Sequence, residues 1–484
     1  MGDGPAEPEG AGVHARADSL RSRERILAAA ASQFAPGARA SMQRIAAAAG
    51  VGRSTLYRHF PTREHLLREL EARAGERSAD EVSAGRREAA PIGYGGGSVA
   101  DDHALDAARV LDDIPPHLLG DQLVAEAQRI AGVPVALYLV DIDGSHLLRL
   151  AGSEEFPAQL GAELAPSLAL GPEIAPEGIA DLRALLAADL PGSVLEPMWL
   201  RGRVTGVLLA VGAPRASLAE IARQGAAAIQ LAGLYTDVFA AARRRRVTSP
   251  AAELQQELLP PRISRITGGM LAGAVLPSYE VGGDWFDFTE NRDGAWLAIA
   301  DATGTGADAS ALAAVALAAL RSARRAGKDL VEAVMDVDAL IRALRGGGAF
   351  SVSAVVARWS AVSARLTWLA CGHPPPLLVA ADGTLEELHG HRHPELGRFD
   401  GDGAVRFDER RLHPGERLLL YSDGITERPL GDGRPFGLEG IRAAVASIEG
   451  ASAARTARAI QEAVVNASSR PLEDDAAIVV LAVT

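Results

Sequence analysis

Residues 281–306 read VGGDWFDFTENRDGAWLAIADATGTG, and this segment best predicts how the last part of the chain folds. It contains two strand-like runs, DWFDFTE and AWLAIAD. Asp284 and Asp301 each lie where a strand meets a turn, and glycines stand close by in the sequence. Glycine lets the backbone and an ion approach closely, so both carboxylates are candidate ligands.

From about residue 265 onward, strand-like and helical patterns succeed one another. Two helical runs, 307–325 and 329–345, follow the opening strands. Later strand-like segments are FSVSAVVARW, ARLTWLACG, RLLLYSDG and DDAAIVVLAV. Many strands with helices between and after them predict an α/β sandwich.

Acidic residues recur at strand ends in this part of the chain. Besides Asp284 and Asp301, they are Asp423 in LLYSDGITE and the pair Asp474-Asp475 in EDDAAIVV. Strand ends in adjacent positions of a sheet lie along one rim, so we expect these carboxylates to converge. Converging carboxylates repel each other unless cations neutralise them, and oxygen ligands suit Mg²⁺ or Mn²⁺. Two such ions can stabilise a phosphoryl group in transfer, which predicts phosphate ester hydrolysis.

The order and contexts of these motifs resemble the SpoIIE-type branch of the PPM phosphatases, the metal-dependent protein phosphatase 2C-like superfamily. The resemblance covers roughly residues 252 to 484 and is carried by AELQQELLPP, VGGDWFDF, ADATGTGADAS, ACGHPPPLLV, LLLYSDGITE and DDAAIVVLAV. It implies a serine/threonine protein phosphatase with a catalytic α/β sandwich domain over residues 259–484.

The same resemblance implies roles for individual residues. Asp284 and Asp301 would hold one divalent cation, Mn²⁺ or Mg²⁺, and Asp301 would bridge to the second. Asp423 and Asp474 would complete the second site, and the carbonyl of Ala302 would contribute. These four acids are the implied catalytic residues, and the attacking group would be a water that bridges the two ions.

Two positions depart from the usual family pattern. Thr305 stands where the family usually has the histidine of Gly-His-Gly, and Ala477 stands where it usually has threonine. Neither position is a metal ligand, so we expect activity to survive. Asp475 would lie just outside the ligand set.

Other reactive side chains in the domain receive plainer interpretations. We interpret His373 in CGHPPP as a loop histidine that orders the turn before Pro374. A cysteine-based phosphatase needs an arginine six residues after its nucleophile, and Leu377 has that position after Cys371. No covalent phosphoenzyme is therefore expected.

Residues 19–75 predict an all-α helix-turn-helix module, with a turn at Gly50-Val51-Gly52. The segment GVGRSTLYRHFPTREHLL resembles the TetR family. From residue 20 to 77 eleven Arg stand against five Glu, a net charge of +6, and phosphate binding needs such a patch. The resemblance implies DNA contacts from Arg53, Ser54, Thr55, Tyr57, Arg58 and His59. We interpret Leu56 and Phe60 as core residues.

Residues 105–240 combine helical patterns with short strand-like runs and predict a small α/β domain with an antiparallel sheet. Pattern and position resemble a GAF sensor domain, whose ligand the sequence does not identify. The domain contains no cysteine for a covalent chromophore. We interpret His117 and His146 as solvated loop residues rather than metal or haem ligands.

The segment that follows predicts a helical connector over residues 241–258. A long helical pattern runs from Leu218 to Arg246, and we interpret its end, Arg243 to Arg246, as a solvated helix face. In the SpoIIE-type family such a connector transmits the state of a sensor to the metal site.

Composition indicates a multidomain globular protein. The chain has 484 residues, 48% of them hydrophobic and 23% charged, and its net charge of −13 argues against nucleic-acid binding along the whole length. Residues 1–18 predict a disordered tail and residues 76–104 a linker. A single cysteine and the lack of a signal-peptide pattern predict a cytoplasmic protein without a membrane span.

Two functions from different classes fit this sequence. The first is a phosphatase acting on a phosphorylated protein, which the family resemblance suggests is an anti-sigma-factor antagonist in a partner-switching pathway. The second is a TetR-like DNA-binding transcription regulator whose phosphatase domain is a non-catalytic binding or sensing module. A TetR regulator binds DNA as a dimer, so a homodimer is expected in either case.

Overall fold

The computed structural model describes residues 25–30, 42–51, 56, 60, 66, 114–160, 169–277, 279, 282–344, 350–399, 404–448, 452–472 and 474–484. The chain divides into two compact units, Met1–Val99 and Ala100–Thr484, and each is described by itself. Some predictions lie outside the described residues: the tail 1–18, the linker 76–104 and the DNA contacts Arg53, Ser54, Thr55, Tyr57, Arg58 and His59.

The first unit is helical where it is described. Residues 25–30 form a helix, and helix α1 (Met42–Ala48) is followed by a turn at Gly50, whose φ of +62° suits glycine. Leu56 and Phe60 are fully buried, so they are core residues as predicted. They pack with Ile26, Leu27, Ile45 and Leu66.

The middle of the chain forms an antiparallel sheet with helices on both faces, which confirms the predicted α/β domain. Its strands lie in the order β3-β2-β1-β7-β5-β4, with β6 paired to β7. The elements are α2 (Leu119–Ala131), β1 (Val135–Val140), β2 (Leu147–Ala151), β3 (Gln159–Leu160), β4 (Ala169–Leu170), β5 (Glu173–Ile174), α3 (Gly178–Asp189), β6 (Ser193–Leu200), β7 (Arg203–Val211) and α4 (Ala219–Ala232).

Every residue of strand β1 is buried. Since side chains alternate between the two faces of a strand, both faces of β1 are covered. Leu137 and Leu139 point to the cluster that contains α2 and α4. Tyr138 and Val140 point to the cluster that contains α3. The sheet is therefore the central layer of this domain.

The predicted long helix from Leu218 to Arg246 is wrong as a continuous element. Helix α4 ends at Ala232 before Gly233, and a separate short helix α5 (Val238–Ala242) follows. Helix α6 (Pro250–Leu258) then begins at Ser249, whose hydroxyl accepts a hydrogen bond from the Ala252 amide. Glycine has low helix propensity, so the break at Gly233 has a local cause.

The predicted solvated helix face from Arg243 to Arg246 is wrong in part, because the run follows α5 and Arg243 and Arg244 are half-buried, whereas Arg245 and Arg246 are exposed. Arg243 donates to the carbonyls of Val140, Pro172 and Thr205, at 3.0, 3.2 and 2.8 Å. Its long side chain thus reaches three strand or turn segments of the middle domain. Sequence alone did not reveal this because the partners are 38 to 103 residues away.

The last part of the chain is the predicted α/β sandwich. One sheet has the order β10-β11-β12-β13-β16, with β17 on β13, and the other has the order β15-β14-β18-β19-β9-β8. The strands are β8 (Ile263–Ile266), β9 (Gly269–Leu276), β10 (Asp284–Asn291), β11 (Gly294–Ala302), β12 (Val352–Ser360), β13 (Arg365–Cys371), β14 (Leu377–Val379), β15 (Leu385–Glu387), β16 (Arg392–His393), β17 (Asp408–Arg411), β18 (Arg417–Tyr421) and β19 (Ala476–Val483).

Helices cover the outside of both sheets. They are α7 (Gly306–Arg325), α8 (Leu330–Leu344), α9 (Asp423–Thr426), α10 (Gly437–Ala446) and α11 (Ala453–Asn466). Alternation along β19 shows the layering: Val479 faces the first sheet, whereas Ile478 faces α10 and α11.

One helix in the described part of the chain, α7, has the length and apolar content of a membrane span. Leu312, Leu317 and Leu320 on this helix are buried in the core that it shares with the first sheet. Its apolar face is therefore used within the fold.

Candidate metal centre

The two acids of the opening motif are direct neighbours across an antiparallel strand pair. Asp284 begins β10 and Asp301 lies near the end of β11, and the two are register partners. Asp284 is buried and Asp301 is half-buried. The hairpin thus carries both carboxylates at one end of its sheet, as the sequence predicted.

The other predicted acids lie at one end of the second sheet. Asp423 begins α9 directly after β18, and the pair Asp474-Asp475 directly precedes β19. Strands β18 and β19 are antiparallel neighbours, with Tyr421 opposite Ile478. Asp475 is buried, Asp423 is half-buried and Asp474 is exposed.

A serine that sequence reasoning missed connects the two sheets at this point. The fully buried hydroxyl of Ser422 donates to Oδ2 of Asp284 at 2.6 Å and accepts the Ala477 amide at 2.9 Å. The Ser422 amide in turn donates to the Ala477 carbonyl at 3.0 Å. Serine in the YSDG motif was the available signal, but only the three-dimensional pairing reveals its partners.

Glycines allow the segments that carry the acids to touch. The Gly282 amide donates to Oδ2 of Asp475 at 2.8 Å. A Cβ on Gly283 would lie 2.1 Å from the Ala302 carbonyl oxygen, and one on Gly424 would lie 1.9 Å from the Asp475 carbonyl oxygen. No larger residue fits either position without backbone movement.

The pKa values of these carboxylates depend on burial and on the charges of the neighbouring acids. Burial, together with the neighbouring charge of Asp301, raises the pKa of Asp284. Burial and the charges of Asp423, Asp474 and Asp475 raise the pKa of Asp301 to about 7. Burial, followed by the charge of Asp474, raises the pKa of Asp423. Burial raises the pKa of Asp475 to about 7. Burial is the largest cause of each shift, and the charges of neighbouring acids add to it.

The residues present fit hard divalent cations. The predicted donors are carboxylate oxygens together with the Ala302 carbonyl, which are the ligands that Mg²⁺ and Mn²⁺ prefer. In the described part of the chain, no three of these acids bring their ligand atoms within 4.8 Å of one another. The ligand atoms of Asp141, Asp143 and His146 do lie within that distance. The predicted acids therefore influence one another's pKa values without forming a compact group of three.

The compact group of Asp141, Asp143 and His146 already binds cationic and hydroxyl donors of the same chain. The Arg245 guanidinium pairs with Asp141 and, at 2.6 Å, with Asp143. The Tyr279 hydroxyl donates to Asp141 at 2.6 Å. The prediction of a solvated His146 is wrong, because this ring is buried and burial lowers its pKa.

The remaining candidates have the following surroundings in the structure. His117 is exposed. His373 is buried, its Nδ1 lies 2.7 Å from the Ser353 hydroxyl, and burial lowers its pKa to about 4, so it is neutral near pH 7. Burial raises the pKa of Cys371 to about 12, which leaves this thiol unreactive. Thr305 precedes α7 with an extended backbone between Gly304 and Gly306.

Comparisons with known proteins agree with both ends of this description. Residues 291–484 match the family Stage II sporulation protein E (SpoIIE), and residues 26–70 match the N-terminal segment of bacterial regulatory proteins of the tetR family. The SpoIIE match contains Asp301, Asp423 and Asp474, whereas Asp284 precedes it.

A curated relative is the phosphoserine phosphatase RsbU of Bacillus subtilis, 23% identical over 178 residues. The match covers 37% of this chain and 52% of that protein, so the chain spans about half the length of the relative.

Two solved structures illustrate the similarity. The SiaA-PP2C domain of Pseudomonas aeruginosa has 22% identity and a TM-score of 0.40, over 48% of this chain and 94% of that one. The RsbU and RsbW domains of Rv1364c from Mycobacterium tuberculosis have 26% identity and a TM-score of 0.37, over 45% of this chain and 60% of that one.

Proposed function

We propose that this chain, which contains a SpoIIE-family domain over residues 291–484 and a tetR-type segment over residues 26–70, is a metal-dependent phosphoserine/phosphothreonine protein phosphatase. The observation that carries the proposal is the position of Asp284, Asp301, Asp423 and Asp474 at strand ends, where the Ser422 hydroxyl joins the two sheets. Two bound cations would offset the repulsion between these carboxylates, and the carboxylates would fix the positions of the cations.

The chain's own residues would prepare the site for this chemistry. Asp284 and Asp301, with the Ala302 carbonyl, would hold one ion, and Asp423 and Asp474 would complete the second. Ser422 would orient the Asp284 carboxylate, and its hydrogen bond offsets part of the rise that burial causes in the pKa of that group. Two divalent cations, Mn²⁺ or Mg²⁺, would supply positive charge for the phosphoryl group and activate the attacking water.

The test is Mn²⁺-dependent hydrolysis of p-nitrophenyl phosphate by the purified full chain. We expect turnover with Mn²⁺, its loss in EDTA and a loss of at least a hundredfold in Asp423→Ala. Asp432→Ala is the matched control, since this exposed acid nearby pairs with Arg434. Absence of turnover with several divalent ions would favour a non-catalytic domain.

The substrate would be a phosphorylated protein. The relative RsbU is a phosphoserine phosphatase, and the solved Mycobacterium tuberculosis structure joins RsbU and RsbW domains. We propose that the chain acts in the cytoplasm, in a partner-switching pathway, and that its substrate is an anti-sigma-factor antagonist. Phosphoproteomes of cells with and without the protein would identify the substrate.

A GAF-like sensor would regulate the site through the connector. The Gln255 side chain on α6 donates to the Asp284 carbonyl at 2.7 Å, so the connector touches a proposed ligand residue. The Tyr279 hydroxyl, five positions before Asp284, binds Asp141 of the middle domain. A small-molecule signal in that domain would thereby alter the metal site. Deletion of residues 1–240 should change the rate or the metal affinity; an unchanged rate and affinity would exclude the coupling.

A second candidate function is DNA binding, which the tetR-type match over residues 26–70 favours. In this alternative the chain is a dimeric transcription regulator with a non-catalytic phosphatase domain. DNA affinity should then fall steeply with salt, because the contacts are mostly to phosphates. Binding that is absent or insensitive to salt would make this segment a protein-contact module.

A further inference from the structure

Arg428 is a buried cation whose partners are main-chain carbonyls. It is 4% exposed, and its guanidinium donates to the carbonyls of Val464 at 3.3 Å and Pro471 at 2.6 Å. It also donates to the carbonyls of Ser468 and Arg470. These acceptors include the C-terminal end of α11, where the helix dipole favours positive charge.

The position of Arg428 in the chain gives these bonds a consequence. Arg428 follows Asp423 by five residues, across the short helix α9, and Asp474 follows Pro471 by three. The Arg428 guanidinium therefore connects the segment that follows Asp423 to the segment that precedes Asp474. Both acids are proposed ligands of the second cation.

A second contact between the same two segments lies nearer the acids. Gly424 packs so closely on the Asp475 carbonyl that a Cβ would be 1.9 Å from its oxygen. The segments are thus held at two points, one at Gly424 and one at Arg428. Between them lies a cavity of about 250 Å³ lined by Gly424, Glu427, Arg428, Pro429, Leu472 and Asp474.

We infer that Arg428 is a positioning residue of the second cation site, which holds Asp474 at a fixed separation from Asp423. This inference rests on the proposed function, since it concerns the proposed metal ligands. Asp474 is exposed and its Oδ1 accepts the Asp475 amide at 2.8 Å, so the position of its carboxylate depends on that of its own loop. Loss of groups that orient metal ligands commonly lowers metal affinity 10- to 100-fold.

The experiment compares Mn²⁺ binding by the metal-free full chain in wild type, Arg428→Met and Arg428→Lys. Binding is followed by the electron paramagnetic resonance signal of free Mn²⁺, and thermal unfolding is recorded without metal. Arg434→Met is the control, because its side chain is 77% exposed on the neighbouring turn.

We expect Arg428→Met to weaken the weaker of two Mn²⁺ sites about tenfold and to recover turnover at high Mn²⁺. Arg428→Lys should fall between, since an ammonium keeps the charge but cannot span four carbonyls. The control should bind Mn²⁺ like wild type.

Two results would overturn the inference in distinguishable ways. Unchanged Mn²⁺ affinity in Arg428→Met, with only a lower unfolding temperature, would make Arg428 purely structural. If Arg428→Met does not fold, unchanged affinity in Arg428→Lys decides the same question. A wild-type chain that binds no Mn²⁺ would instead remove the proposed function and the inference with it.

Discussion

The hydroxyl of Ser422 donates a 2.6 Å hydrogen bond to Oδ2 of Asp284, joining residues 138 positions apart in the sequence. The Ser422 hydroxyl oxygen also accepts a hydrogen bond from the Ala477 amide. This one buried atom therefore connects the end of β18 to β19 and to β10, the first strand of the other sheet. The acid of one sheet is thereby located relative to the acids of the other.

Replacing this serine should cost both stability and metal binding. Ser422→Ala leaves the Ala477 amide and one Asp284 oxygen without their partner, which we expect to lower the free energy of unfolding by about 1–3 kcal/mol. The pKa of Asp284 should rise further, so Mn²⁺ activation should shift to higher pH. Urea unfolding and the pH profile measure the two effects, with exposed Ser469→Ala as control. An unshifted profile would contradict the proposed role.

The stability of the metal-free chain should fall as pH rises from about 4 to about 7. In the folded chain the pKa values of Asp301 and Asp475 are raised to about 7, whereas an unfolded aspartate titrates near 4. The folded state therefore binds more protons in this range, and its stability declines as pH rises through 7. Thermal unfolding should show this decline, its reversal by Mn²⁺ at pH 8 and a smaller decline in Asp301→Asn. Equal unfolding temperatures with and without Mn²⁺ would count against the account.

Gly424 should not tolerate a side chain. In Gly424→Ala the added Cβ would lie 1.9 Å from the Asp475 carbonyl oxygen, so the backbone must move and both cation affinity and turnover should fall at least tenfold. Gly431→Ala is a matched control, because nothing lies within 4 Å of its Cβ position. Mn²⁺ titration of turnover compares them, and equal behaviour would refute the close approach.

Glu173 should be essential for the stability of the second unit. Its buried carboxylate pairs with Arg203 at 2.8 Å and accepts the Ile263 amide at 2.8 Å, which links the middle domain to strand β8. Glu173→Ala leaves a buried arginine uncompensated, so we expect a loss of about 3–5 kcal/mol in chemical unfolding. Glu220→Ala, in an exposed pair with Arg223, should leave unfolding unchanged. Similar effects of the two changes would argue against this contact.

The sequence predicted those features that arise from local patterns. The succession of strand-like and helical runs predicted the sandwich, and acids beside glycines predicted Asp284, Asp301 and Asp423 at strand ends. It did not predict the partners of Arg243 or the burial of His146, because these depend on contacts between residues far apart. Gly233 ended a helix that periodicity extended, since one residue of low propensity is a weak signal within a long pattern.

The most direct measurement is the anomalous diffraction of Mn²⁺ in crystals of the full chain. We expect two ions between the carboxylates of Asp284, Asp301, Asp423 and Asp474, with the Ser422 hydroxyl still hydrogen-bonded to Asp284. Electron density in which these acids point apart, with no anomalous peak between them at saturating Mn²⁺, would contradict it.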